Sequence, residues 1–310
     1  MPKKPVLTRF GYATAAVAAT AVAGLAWTQV ERRWPTVRHV DARGVLPTGA
    51  APVRVLHVSD LHLFPGQDFL VDFVRSLAEL EFDFVVSTGD NFGSTRGLPM
   101  LRRAYEPLLG HPGAFVFGSN DYYSPQPKPW HSYLVGSRRH AFNRVSRTEP
   151  DLPWQELEAF FHNAGWVNLN NRAGHVRLED GRTLALMGVD DPHIHRDRMP
   201  VPNADWNAPE ALRIALLHAP YQRVLNEFVH LGAQALFAGH THGGQLRVPS
   251  VGAIVSNCDV PRDMVRGLHR WYSAEGSAVL NVSAGLGTSM YAPVRFACRP
   301  EVSLVTLHSA

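Results

Sequence analysis

Short apolar runs alternate with amphipathic stretches along most of the chain. "VRVLHVS" (Val53–Ser59), "DFVVSTGD" (Asp83–Asp90) and "AFVF" (Ala114–Phe117) have strand length and are rich in β-branched and aromatic residues. Between the first two, Phe69, Leu70, Phe73, Val74, Leu77 and Leu80 recur at helical spacing, which predicts a helix over Gln67–Leu80. Leu98–Leu109 and Trp154–Gly165 also read as helices, the second stopped by Gly165. The second half predicts strands at Val167–Leu169, His175–Leu178, Leu184–Val189, Arg213–Leu217, Ala235–Ala238, Val279–Val282 and Val302–Leu307. One helix, Tyr221–Leu231, lies among them. The pattern is that of an α/β protein with two packed sheets flanked by helices. Tyr122–Pro153, Asp190–Pro209 (with "DDPHIHRDR") and Gly252–Tyr272 show no regular period, and long loops of this kind are often functional lids.

The N-terminus follows another pattern. Lys3, Lys4 and Arg9 precede an uncharged run from Phe10 to Val30, and Glu31, Arg32 and Arg33 follow it. About 20 residues of helix would just cross a ~30 Å hydrocarbon layer. The expectation for residues 1–34 is a membrane anchor. Ala21-Val22-Ala23 keeps a cleaved export signal open, and an alanine-rich soluble helix is the third reading. Basic residues flank both ends, so the side of the membrane stays undecided. Residues 35–52 read as a linker with room for one edge strand, and 53–310 as the catalytic domain.

Composition narrows the classes. With 45% hydrophobic and 18% charged residues the chain is globular. A net charge of +3, from 30 basic and 27 acidic residues, is too small an excess to argue for a nucleic-acid partner. The one strongly basic stretch, Tyr122–Thr148, holds Lys128, Arg138, Arg139, Arg144 and Arg147 with no acid. Two cysteines, Cys258 and Cys298, provide neither a disulfide framework nor a cysteine metal site. Sixteen histidines are more telling, because several fall in tight pairs.

Those pairs sit at strand ends. Asp60 and His62 follow the first strand, Asp90 the second, and Asn120 and Asp121 the third, in "FVFGSND". His218 follows a later strand in "IALLHAP", and His240 and His242 another in "ALFAGHTHGG". A lone histidine such as His218 is more often a capped or core residue. Five strands delivering Asp, Asn or His to one edge are another matter, since ligands of open α/β sheets bind beyond the carboxyl ends of the strands. Residues i and i+2 of an extended segment share a side, so Asp60 with His62, and His240 with His242, are each able to grip one ion. Imidazole and carboxylate together suit Mn, Fe or Zn, and the lack of thiolates argues against a closed structural zinc site. Two divalent ions sharing an aspartate, which activate a water for attack on phosphorus, are the chemistry this set wants.

At these residues the chain resembles the calcineurin-like metallophosphoesterases. Their ordered motifs D-x-H, G-D, G-N-H-[DE], a lone His and G-H-x-H stand here as Asp60-Leu61-His62, Gly89-Asp90, Gly118–Asp121, His218 and Gly239-His240-Thr241-His242. The closing "GLGTSMYAPVRFACRPEVSLVTL" is similar to the end of the membrane-associated, predicted-phosphohydrolase branch. The resemblance implies two mixed β-sheets sandwiched between helices, a four-layer α/β/β/α fold. It implies one metal held by Asp60, His62, Asp90 and His242. A second would be held by Asp90, an asparagine, His218 and His240, with Asp90 bridging. Asp90, Asn120 and Asp121 are thereby the candidate catalytic residues.

"GSND" departs from the family pattern. Matched letter for letter, Ser119 replaces the ligand Asn and Asn120 the His that protonates the leaving group. Shifted by one, Asn120 is the ligand, which is favoured because an amide oxygen ligates better than a neutral hydroxyl. Neither reading leaves a histidine there, so His140, His193 and His195 become candidates for a replacement acid. A pyrophosphate or activated phosphodiester depends less on such an acid. The expected function is a dinuclear phosphohydrolase acting on a phosphorylated small molecule or a lipid-linked envelope substrate. A phosphomonoesterase or phosphoprotein phosphatase, and a non-catalytic module for anionic lipids, are the alternatives.

Overall fold

The computed structural model describes residues 6–127 and 149–309. His140 and the basic residues from Lys128 to Arg147 lie outside the described residues.

A first six-stranded sheet contains β1 (Thr36–Leu46), β2 (Val53–Val58), β3 (Phe84–Ser87), β4 (Gly113–Phe115), β5 (Val167–Asn168) and the last strand of the chain, β14 (Glu301–Ser309). Its order is β1-β14-β2-β3-β4-β5, parallel throughout except for the β14–β2 pair. A second contains β6 (Arg172–Arg177), β7 (Thr183–Gly188), β8 (Leu212–Leu216), β9 (Ala235–Ala238), β12 (Gly267–Ser273) and β13 (Gly276–Val282). Its order is β12-β13-β9-β8-β7-β6, with antiparallel pairs at the two edges. A small hairpin, β10 (Arg247–Val248) with β11 (Gly252–Ala253), stands apart.

Side-chain parity builds the layers. Val53 and Val55 of β2, with Phe84 and Val86 of β3, face Ile214 and Leu216 of β8 and Phe237 of β9 across the interior between the sheets. The intervening Leu56, Val58 and Val85 point outward onto α2 (Asp68–Ser76), α3 (Leu98–Tyr105) and α5 (Trp154–Asn163), through Leu70, Val74, Leu101 and Phe161. On the other sheet, Ala215, Leu236 and Leu280 pack under α7 (Gln222–His230), through Leu225 and Phe228, and under Trp206 of the short α6 (Ala204–Asn207). The α/β sandwich of two mixed sheets is therefore present. The predicted helices end a little early in α geometry; Leu77–Glu79 and Glu106–Leu108 continue α2 and α3 as 3₁₀ turns.

Residues 36–46, within the stretch read as a linker with room for one edge strand, form that strand, β1, bound in parallel register to β14 from Thr36↔Glu301 to Ala42↔Leu307. Two expectations change. Gly252–Tyr272, read as loop, contains β11 and most of β12. The N-terminal segment is the 26-residue helix α1 (Val6–Glu31), yet among the described residues no helix is long and apolar enough to cross a membrane. Its C-terminal end is seated on the body instead. Glu31 is buried and accepts the backbone N–H groups of Ala297 (2.9 Å) and Cys298 (2.5 Å), while Gln29 donates to the Pro293 carbonyl at 2.9 Å. Arg299 stacks over Trp34 at 4.2 Å.

Candidate metal centre

Every strand that was expected to deliver a polar residue delivers it to one edge of the sandwich. The loop after β2 and the loop after β3 run side by side, joined by Asp60 N–H→Gly89 O (2.9 Å) and His62 N–H→Asp90 O (3.0 Å). Gly89 has φ +90° and lies against the backbone of Phe117 and Gly118, an approach that a side chain would block.

Two groups of side chains converge there. Asp60, His62 and His242 form one, and Asp90, His218 and His240 the other. Asp90 stands between them: one carboxylate oxygen is 3.5 Å from His62 Nε2 and the other 3.4 Å from His218 Nε2. His62 and His242 bring their Nε2 atoms to 3.2 Å, and His240 Nδ1 lies 3.3 Å from His218 Nε2. His240 and His242 thus fall in different groups, which corrects the expectation from spacing that they grip one ion together and agrees with the division that the resemblance implied. The reason is local: both have positive φ (69° and 48°), so the segment turns where an extended one would align them.

The donor set fits cations. His218 Nδ1 lies 2.7 Å from the Thr88 carbonyl, which can only accept, so the proton sits on Nδ1 and the Nε2 lone pair faces the Asp90 carboxylate. Two acceptors held face to face need a proton or a metal ion between them. Without metal, burial disfavours a charged His218, but the Asp90 carboxylate outweighs it and raises the His218 pKa well above the ordinary histidine value. Burial, helped by His193 and His218 for His240 and by His62 and Arg295 for His242, instead holds both well below it, as neutral ligands require.

The "GSND" segment is α4 (Ser119–Tyr122) and the residue capping it. Asn120 meets the centre through its backbone, whose N–H donates to Asp90 at 2.6 Å; its side-chain nitrogen donates to Tyr123 O at 3.1 Å. Asp121, expected among the catalytic residues, has both oxygens committed elsewhere. They accept the backbone N–H groups of Asp90 (2.8 Å), Asn91 (2.9 Å) and Gly118 (2.8 Å) and the Asn91 side chain (3.0 Å). Its work is to lock the loop that carries Asp90. Burial and the nearby Asp90 push its pKa up to about 7, against four N–H donors that favour the anion.

Of the candidate acids, His193 lies with its ring 4.3 Å from that of His240 and its Nδ1 3.0 Å from Tyr221 Oη. His195 is exposed. Two residues escaped the sequence reading. Asp191 is fully buried near His218 and Asp90, with one oxygen unpartnered and its pKa pushed up to about 7 by burial. Its position after β7, in line with the other strand ends, was the available signal. Arg295 is also fully buried, donates to the carbonyls of Ala284, Gly285 and Gly287, and lies 3.5 Å from His242 Nδ1. The loop it clamps backs Asp60, whose carbonyl accepts Gly287 N–H at 2.6 Å. Nothing local in the sequence marked it.

The profile of calcineurin-like phosphoesterases matches residues 53–244, more than half of the chain and all six converging residues. The chain belongs to this family. It is 28% identical to the phosphodiesterase YaeI of Escherichia coli, over 96% of this chain and 98% of the relative. It is 24% identical to the uncharacterized metallophosphoesterase YkoQ of Bacillus subtilis, over 85% and 86%. A bovine transmembrane protein with a metallophosphoesterase domain is 28% identical over 86% of this chain and 55% of its own length. The protein is a metal-dependent phosphoester hydrolase of α/β sandwich architecture.

Proposed function

We propose that this protein hydrolyses a phosphodiester or pyrophosphate bond with two divalent ions, one held by Asp60, His62, Asp90 and His242 and the other by Asp90, Asn120, His218 and His240. The observation that carries this reading is Asp90, with one oxygen turned to each imidazole group. When bound, such a pair of ions supplies an activated water near neutral pH and offsets charge on the phosphoryl oxygens. The chain's own part is orientation. Asn120 N–H and the Asp121-locked loop hold Asp90, the Thr88 carbonyl fixes the His218 tautomer, and Arg295 supports the loop behind Asp60.

The lack of a histidine in Gly118–Asp121 favours a substrate whose leaving group departs with little protonation. His193, beside His240, is the residue placed to donate a proton where one is needed. A lipid-linked envelope substrate suits an enzyme attached to a membrane through α1, on which Val22, Leu25 and Val30 are exposed. The naming of the bovine relative as a transmembrane protein supports attachment.

The test is elemental analysis of the purified full chain together with turnover of bis-p-nitrophenyl phosphate. About two divalent ions per chain, loss of turnover on chelation and recovery with Mn²⁺ are expected. Active protein free of bound metal overturns the reading. Faster turnover of p-nitrophenyl phosphate than of the diester would move it to a phosphomonoesterase.

A further inference from the structure

β2 carries one polar side chain into the interior between the sheets. His57 shares the inward parity of Val53 and Val55, is fully buried, and packs edge-on against Phe237 at 5.3 Å. From the other sheet, Asn281 of β13 faces the same interior beside Val279 and places its Nδ2 2.8 Å from His57 Nδ1. Two polar groups in an apolar layer are costly unless hydrogen-bonded. The bonds run on toward the metal centre. His57 Nε2 is 2.9 Å from Thr88 Oγ1, Thr88 Oγ1 is 2.7 Å from Ser59 Oγ, and Ser59 Oγ is 2.6 Å from Asp60 Oδ2. All five residues are buried.

The direction of the chain follows from its last member. An ionised Asp60, the form that a metal ligand must take, can only accept. Ser59 must therefore spend its single proton on Asp60, and Thr88 its proton on Ser59. His57 Nε2 must then carry a hydrogen for Thr88, which leaves Nδ1 bare to accept from Asn281. A neutral imidazole has one N–H, and burial keeps His57 neutral by pushing its pKa down to about 3. His240 N–H is shared between Asp60 Oδ2 (3.0 Å) and Oδ1 (3.2 Å). Oδ2 therefore carries the Ser59 bond and the shorter half of this one, while Oδ1 lies 3.7 Å from His242 Nε2 on the side of the centre.

We propose that Asn281, His57, Thr88 and Ser59 form a one-way donor chain that positions Asp60, holding its Oδ2 so that Oδ1 is presented to the ion. These are positioning residues, none of which touches the reacting atoms. Thr88 serves both halves of the centre, because its carbonyl also sets the His218 tautomer. The inference rests on Asp60 being a ligand, as proposed above.

Two measurements on the full chain test it. With ¹⁵N-labelled histidine and Zn²⁺ bound, His57 should show a protonated Nε2 and a bare Nδ1. Thr88→Val keeps the shape and removes the hydroxyl. Competition with a chelating dye should show its weaker-bound Zn²⁺ loosened about 10–100-fold, the range expected for outer partners of a metal ligand, and Thr88→Ser should restore most of that loss. A His57 proton on Nδ1, or a Thr88→Val protein that melts lower yet binds Zn²⁺ as tightly as the parent, overturns the proposal. If Thr88→Val does not fold, the tautomer decides. A parent chain that takes up no ion fails the metal reading itself, whereas a parent that binds two ions beside an unaffected Thr88→Val fails the donor chain alone.

Discussion

Asp60, His62, Asp90, His240 and His242 all have positive φ, a region that costs a non-glycine residue about 1 kcal/mol or more. Five such residues in one centre are strain, and they explain why residue spacing misled. The backbone bonds between the loops after β2 and β3 hold the first three, and Gly239 N–H→His218 O (2.8 Å) with His240 N–H→Asp60 Oδ2 (3.0 Å) holds the turn of the other two. Along an extended chain His240 and His242 would point together; in this turn they part, one to each group. Gly118 packs directly against the centre, since a Cβ there would collide with Asp90 Oδ1 and the His218 ring. Gly118→Ala should thus displace Asp90 and lower diester turnover roughly 100-fold, the scale of disturbed ligand positioning, with the circular dichroism spectrum retained. Unchanged turnover would mean that Asp90 tolerates movement and does not bridge. Asn120→Ala should cut turnover by a similar roughly 100-fold with weaker metal binding, while Ser119→Ala stays within about threefold. The reverse order would make Ser119 the ligand.

Elements were legible where an apolar run was continuous. β2, β3, β8 and β9 are buried on both faces along most of their length, so their sequences read as largely hydrophobic stretches ending in polar residues, and the site could be found from those ends. β1 was only faintly marked, because an edge strand keeps few inward positions: in "TVRHVDARGVL" only Ala42, Val45 and Leu46 are buried. His57 and Asn281 were hidden for the opposite reason, each a single polar residue inside a hydrophobic strand whose partner lies on the other sheet. The seating of α1 has a consequence for truncation. Cutting after residue 34 removes Glu31 and strands the buried N–H of Cys298, together with the partly exposed N–H of Ala297. That loss is expected to cost about 1–3 kcal/mol, read as a lower urea midpoint, whereas cutting after residue 26 keeps Glu31 and should leave stability unchanged. Removing residues 1–46 takes away β1 and exposes the β14 edge, and aggregation is expected. A 1–34 deletion as stable as the full chain would show that Glu31 contributes nothing there.

For the molecule as a whole, the layer between the sheets joins the sandwich and carries the donor chain, so acid should act on both. His57 would titrate near 6.5 in the unfolded chain and near 3 when folded, because burial disfavours its charged form. Between those values the unfolded state binds the extra proton. The contribution of His57 is therefore fully present above about pH 6.5 and is lost progressively as the pH falls toward 3. Asp191 and Asp121, with pKa values raised to about 7, have the opposite sign: between about 7 and the ordinary carboxylate value the folded state holds protons that the unfolded state releases, which favours folding on mild acidification. The overall pH curve thus mixes contributions of both signs, and a substitution isolates that of His57. His57→Gln retains an amide donor toward Thr88 and does not titrate. In metal-free protein, urea unfolding should show the parent losing about 2 kcal/mol more than His57→Gln between about pH 7.5 and about pH 5, from roughly 1.5 pH units below the unfolded histidine value. Parallel losses in the two proteins would mean that water or a structural opening lets the folded state protonate His57 freely, and that the interior between the sheets is not the dry layer its packing describes.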